Sequence, residues 1–207
     1  MRRESHAQFC ERLAVRLRRA THLVMGFESA TDARRMLADL KDRLAKFGLS
    51  LHEDKTRLIE FGRLPALARR QRGQRRPGTF AFLGFTHYCG WTRDGRFIVK
   101  HKTQSKRLTR KLKALRQEAW RHMHAPLAEQ HRWLSSVLRG HYGYYGMPHN
   151  YPALSAFHQE VRRLWFRTLR RRSQKARRLN WDAFKAIVVR FPLPLPRITH
   201  PWTGARA

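Results

Sequence analysis

Two pairs of metal-capable side chains stand out by type and spacing. His87 and Cys89 lie two apart, and so do His122 and His124. In a strand, residues i and i+2 share a face, so an imidazole and a thiolate there can meet one ion. In a helix, i and i+2 diverge, which weakens the second pair. No second Cys pair stands at zinc-ligand spacing, so the expectation is no metal site. Carboxylates are no better placed for catalysis. Beyond residue 61 the acids are Asp94, Glu118, Glu129, Glu160 and Asp182, scattered singly. Two-metal phosphoryl transfer needs clustered carboxylates to hold Mg²⁺, and no such cluster is visible there. Glu53 and Asp54 are adjacent but fall in an expected turn, where solvent exposure is the simpler role.

The cations are the dominant feature. The chain has 207 residues, 45 Lys+Arg, 14 Asp+Glu and a formal net charge of +31. Residues 1–61 hold 13 basic and 9 acidic residues, whereas residues 62–207 hold 32 and 5. The excess therefore sits in the body of the chain, and such a charge is best tolerated against a polyanion. Arg outnumbers Lys 35 to 10. Arg forks onto phosphate and stacks on bases, which suits RNA, although genomic base composition produces the same bias. Lys102, Lys106, Arg107, Arg110 and Lys111 open one expected helix; Arg162, Arg163, Arg167, Arg170, Arg171 and Arg172 lie on another. A charge run is commonly just a solvated face. Here the runs recur on successive helices with almost no compensating acid, which favours phosphate contact. Trp133, Tyr142, Tyr144, Tyr145, Trp165 and Trp181 can stack on unpaired bases or fill a core.

The elements that must position these groups follow from periodicity. Phe9, Leu13 and Leu17 are spaced by four, as in a helix over residues 7–19. Leu23 to Phe27 reads as a strand. Ser29 and Asp32 form a capping box for a helix carrying Met36, Leu37, Leu40, Leu44 and Phe47, stopped by Gly48. Leu58, Ile59 and Phe61 make a second strand. Residues 62–79, with Arg63, Arg69, Arg70, Arg72, Arg75 and Arg76 among Gly and Pro, read as a mobile basic linker. Phe80 to Tyr88 and Phe97 to Lys100 read as strands joined at Asp94-Gly95, since Gly accepts the positive φ of a tight turn. From Thr103 the pattern is helical. Its stripes are Leu108, Leu112, Leu115 and Ala119; then Leu127, Leu134 and Leu138 after Pro126; then Leu154, Phe157, Val161, Leu164 and Thr168. Asn180 caps a last helix with Phe184, Ile187 and Val188, before an extended Pro192, Pro194, Pro196 tail. Gly140, Gly143 and Gly146 point to close packing or a bent helix end. No apolar run is long enough to cross a bilayer, no secretory signal is visible, and two Cys fit a reducing compartment, so a cytoplasmic protein is expected.

Read together, these segments resemble the C-terminal part of a group II intron reverse transcriptase/maturase, from about residue 19 to 202. Phe47-Gly48-Leu49-Ser50-Leu51-His52-Glu53-Asp54-Lys55-Thr56 resembles the family's late palm. Phe82-Leu83-Gly84-Phe85 resembles its primer-grip hairpin. Arg139-Gly140-His141-Tyr142-Gly143-Tyr144-Tyr145-Gly146 and Arg190-Phe191-Pro192-Leu193-Pro194 resemble its thumb, the maturase or X domain. The resemblance implies an α+β chain: a partial palm at 1–61, the basic linker at 62–79, a primer-grip-like β-hairpin at 80–101, and a helical thumb/maturase bundle at 102–202. It implies RNA, specifically intron RNA, as partner, with Arg139, Tyr144 and Tyr145 beside the Lys and Arg runs as contacts. DNA is a second polyanion the charge admits, and no membrane is expected. Lys55 matches a family lysine near the incoming nucleotide.

The departures are specific. In the family a Tyr-Ala-Asp-Asp turn precedes a strand like Leu23–Phe27, where this chain has Arg19, Ala20, Thr21 and His22. Thr and His cannot replace two Mg²⁺-binding carboxylates. Intact members use Mg²⁺, and none is expected here. Three readings follow: an RNA-binding maturase module, a reverse transcriptase completed in trans by a fingers–palm partner, or a mobile-element remnant with residues 1–61 poorly ordered.

Overall fold

The computed structural model describes residues 8–13, 23–74 and 77–200. The chain divides into two compact units, Met1–Lys100 and His101–Ala207. The architecture is mixed α and β.

In the first unit, β1 (Gln8–Leu13), β2 (Leu23–Phe27) and β3 (Arg57–Ile59) form an antiparallel sheet in the order β2-β1-β3. Cys10 pairs with Met25 on one side and Leu58 on the other. The helix expected over residues 7–19 is therefore corrected to a central strand at its start. The spacing of Phe9 and Leu13 fits a helix, but pairing with two neighbours decides. Helix α1 (Ala30–Ala45) is capped by Ser29 as expected, but through Thr31, whose N–H donates to Ser29 Oγ at 3.1 Å, and not through the Asp32 half of a capping box. Its stripe is less buried than its spacing implies: Met36 is exposed, Phe47 is 71% exposed, and only Ala33 is fully buried.

The linker expected at 62–79 is a second correction. Residues Arg63–Gln71 form helix α2. Ala66 is buried against Phe61, Phe80 and Cys89, while Arg69 pairs with Glu60 at 2.9 Å and the Arg70 guanidinium lies 5.3 Å from the Trp91 ring centre. The helix buries one apolar face while Arg69 and Arg70 find partners outside it. Arg75 and Arg76 lie outside the described residues. A second sheet follows, β4 (Phe80–Phe82), β5 (Phe85–Trp91) and β6 (Phe97–Thr103), in that order. The strand expected over Phe80–Tyr88 is broken by a two-residue turn, Leu83 at φ +48° and Gly84 at φ +84°, with Phe82 opposite Phe85. Two successive positive φ angles are the hairpin geometry that matches strand twist. The Asp94-Gly95 turn forms as expected, with Gly95 at φ +76° and Thr92 N–H donating to Arg96 O at 2.8 Å.

The second unit is a bundle of α3 (Ser105–Arg121), α4 (Leu127–Tyr145), α5 (Tyr151–Arg170) and α6 (Trp181–Arg190). Pro126, expected as the first helical residue, stands one place earlier as the N-cap of α4. Leu115, Leu134, Leu138, Leu154, Phe157, Val161, Trp165 and Phe184 fill the core. Two buried amides hold its polar joints. Gln130 Nε2 donates to the carbonyls of Met123 (3.2 Å) and Ala125 (3.0 Å), and its Oε1 accepts from Trp165 Nε1 at 2.9 Å. Asn150 Oδ1 accepts from Thr103 N, and its Nδ2 donates to Thr103 Oγ1 and Tyr145 O, all at 2.8 Å. Asn180 caps α6 through Ala183 N at 2.8 Å.

Beyond α6 the chain is extended and laces back over α4. His131 Nε2 meets Pro192 O at 2.9 Å, Tyr142 OH donates to Pro194 O at 3.1 Å, and Thr199 Oγ1 donates to Tyr142 O at 2.7 Å. Thr199 N and His200 N both donate to Gly146 O. A Cβ on Gly146 would strike Thr199 Oγ1 and Tyr142 O, so only glycine fits there. The expectation of close packing holds for that glycine alone: a Cβ on Gly140 or Gly143 would meet nothing within 4 Å. Among the described residues no helix is long and apolar enough to cross a membrane.

Candidate nucleic-acid interface

Helix α3 turns Leu115 and Ala119 into the core, with Leu108 and Leu112 packed against it. At 100° per residue, Arg107 and Lys111 fall on one side of that stripe, and Arg116 and Trp120 on the other. Each side opens into a hollow.

The larger hollow, about 820 Å³, lies between α3 and α4. Arg107 and Lys111 line it from α3; Trp133, Val137, Gly140 and Tyr144 line it from α4 at the i, i+4, i+7, i+11 positions of one face. Tyr144 is 53% exposed, and its ring meets that of Tyr145 edge-on at 4.8 Å. Burial pushes the Tyr145 phenol up, partly offset by the Arg107 guanidinium, so it stays neutral. His141, only 6% exposed, also lines this hollow. Its ring stacks on Phe157 at 3.8 Å and lies 4.7 Å from Tyr145, while its Nε2 has no hydrogen-bond partner. Burial, and then the Lys111 ammonium, push its pKa down to about 4. The ring is therefore neutral at pH 7 in a cationic setting.

The smaller hollow, about 260 Å³, lies between α3 and α5 and is lined by Arg116, Trp120, Arg167 and Arg171. The Arg171 guanidinium sits 5.6 Å from the Trp120 ring centre, and Trp120 is exposed. Arg167, Arg170, Arg171 and Arg177 enclose a third, of about 310 Å³. Very little acid opposes this charge. Asp94, Glu118, Glu160 and Asp182 pair with Arg96, Arg121, Arg163 and Lys185, each two or three residues away. None of those pairs uses Arg107, Lys111, Arg167 or Arg171.

The structure sorts the residues expected from sequence to touch RNA. Arg107, Lys111, Tyr144 and Tyr145 come together in one hollow, and Arg167 and Arg171 in the other two. Lys102, Lys106, Arg110 and Arg139 are exposed but line neither of the α3 hollows. Three arginines are partly engaged in holding the fold. Arg163 pairs with Glu160 at 2.6 Å, Arg170 donates twice to Arg177 O at 3.2 Å, and Arg172 donates to His124 O at 3.2 Å. Sequence reasoning missed Arg116, Trp120, Arg177 and His141 as lining residues. The i, i+4 pair Arg116 and Trp120, opposite the α3 core stripe, was a usable signal. Of the aromatic residues, Tyr142 and Trp165 are core, whereas Trp133 lines the α3–α4 hollow.

In the first unit, Lys55 is exposed in a 3-10 turn, Glu53–Lys55, and Phe82, Leu83, Gly84 and Phe85 make the β4–β5 turn. His87 stacks on Phe80 at 4.7 Å, and buried Cys89 donates to Gly62 O at 3.8 Å, with its thiol pushed up by burial. Those contacts give both a packing role. His122 stacks on Trp133 at 4.8 Å. Among the described residues no three His, Cys, Asp or Glu side chains converge on a cation site, and Thr21 and His22 lie outside the described residues. A hydroxyl and an imidazole do not match the hard carboxylate set Mg²⁺ requires. No family model, curated protein or solved structure matches this chain.

Proposed function

We propose that this chain is an RNA-binding module of the group II intron reverse transcriptase/maturase type. It binds intron RNA and assists its splicing, and RNA-directed DNA polymerase activity is lost. One observation carries the reading: both sides of α3 open into hollows where Arg or Lys stands beside an exposed aromatic ring, Tyr144 in one and Trp120 in the other. Cations hold phosphates while rings stack on unpaired bases, the combination used for structured RNA. The uneven charge, +27 net over residues 62–207 from 32 basic and 5 acidic residues, supports the same reading. So does the order of elements, strand–helix–strand, then hairpin, then bundle, which is the order the resemblance implies. In this role the RNA supplies the catalysis and the protein supplies charge neutralisation and shape.

The test is a filter-binding salt titration of the full chain with a folded group II intron RNA and a random-sequence duplex RNA of equal length. For ~6 to 10 phosphate contacts, affinity falls ~10³ to 10⁵-fold between 50 and 200 mM salt. A preference for the intron that survives at physiological salt is expected. Identical curves for the two RNAs would refute the maturase reading.

A further inference from the structure

We infer that the hollow between α3 and α4 is a pocket for a single unpaired RNA base, read at its edge by His141. The inference rests on the RNA-binding reading above and names the site that makes it selective.

Four observations converge. The volume, about 820 Å³, falls in the range of small-ligand pockets and accommodates a nucleotide. Tyr144 presents a half-exposed ring at its lining, the surface on which an extruded base stacks. Arg107 and Lys111 stand one helical turn apart on the opposite wall and receive the flanking phosphates. His141 is 94% buried, since its exposure is 6%, and its Nε2 lacks a partner. A buried polar atom left unpaired is costly, so a ligand that supplies the missing hydrogen bond is favoured. With burial and Lys111 keeping the ring neutral, Nε2 offers a directional hydrogen bond instead of a charge. A base edge carries the complementary donors and acceptors; a phosphate carries acceptors only. Gly140 completes the pocket by omission: a side chain there would enter open space.

The smaller hollow lacks this last element. Its ring, Trp120, lies 5.6 Å from the Arg171 guanidinium, and none of its lining residues carries a buried polar atom without a partner, so it can stack a base but has no group like His141 to read the base edge.

The test uses the full chain and three fluorescein-labelled RNA hairpins: one with a single bulged nucleotide, one with an abasic residue at the bulge, and one fully paired. Anisotropy titrations give the affinities. Two variants accompany the wild type. His141→Phe keeps an aromatic ring against Phe157 and removes the nitrogen. Gly140→Leu projects into the pocket from a helical position where an added Cβ meets nothing within 4 Å, and melting by circular dichroism reports whether each folds. The bulged hairpin is expected to bind about tenfold or more tighter than the abasic one, as one stacked base warrants. Gly140→Leu is expected to bring that ratio close to one, and His141→Phe to reduce it and flatten its dependence on base identity. Equal wild-type affinity for the bulged and abasic hairpins, with steep salt dependence kept, would overturn the pocket and leave RNA binding standing. A preference untouched by both variants would place the base elsewhere and also overturn it. Absence of salt-dependent binding to any hairpin would remove both readings.

Discussion

The neutral, buried ring of His141 has a measurable thermodynamic signature. In an unfolded chain histidine takes a proton near pH 6.5. In the fold, burial and the Lys111 charge delay that to about pH 4. Between those values the unfolded state binds more protons than the folded state, so stability falls as pH falls. The contribution is complete above about pH 6.5 and is lost progressively down to about pH 4, where the folded ring also protonates. At about 1.36 kcal/mol per pH unit, the loss reaches about 1.4 kcal/mol near pH 5.5 and about 3 kcal/mol near pH 4. Lys111 faces the ring from α3, Tyr142 and Tyr145 from α4, and Phe157 from α5. His101 and His158, also pushed down by burial, act in the same direction and belong to the background. Urea unfolding followed by Trp fluorescence at pH 7, 5.5 and 4 isolates the ring when wild type is compared with His141→Phe. The stability gap between them should shift by about 3 kcal/mol across that range, with the wild type losing more. Parallel profiles would refute the account, because they would mean the ring is solvated or paired in the fold.

Two further outcomes follow from the fold itself. Gln130→Met strands the Trp165 indole N–H and two carbonyls, and should cost about 2–4 kcal/mol; a double-mutant cycle with Trp165→Phe should recover part of that as coupling. Leu83→Asn places a residue suited to positive φ at the first position of the β4–β5 turn, and should stabilise the first unit by up to about 1 kcal/mol, read as a rise in its unfolding midpoint.

What could be read from sequence was what is local. The Leu154, Phe157, Val161, Leu164, Thr168 stripe is buried as spaced, Asn180 caps α6, and Gly95 takes the turn conformation. Each depends on residues within a few positions. Strand β1 was missed because its identity comes from partners at Met25 and Leu58, far along the chain. Helix α2 was missed because its arginines hide a helix whose one buried residue, Ala66, is small. The RNA-contact residues were legible as charge but not as a site. Arg107 and Tyr144 are 37 positions apart in sequence, and only the packing of α3 and α4 brings them to one hollow. His141 was illegible for a related reason: its neighbours Phe157 and Lys111 come from two other helices.

The extended segment after α6 has a consequence for how the bundle assembles. Its hydrogen bonds to α4 span 52 to 61 positions of chain, from Tyr142 with Pro194 to His131 with Pro192. Helical bundles usually fold fast because their contacts are local, and rate falls as mean contact separation rises. Here the strap raises the contact order of an otherwise local fold. The four helices can collapse first, but Tyr142 OH and the Gly146 carbonyl gain these partners only when the strap closes. Closing the strap therefore carries a loop-closure entropy that the local helical contacts do not, and the end of α4 that carries His141 and Tyr144 is where its hydrogen bonds offset that entropy.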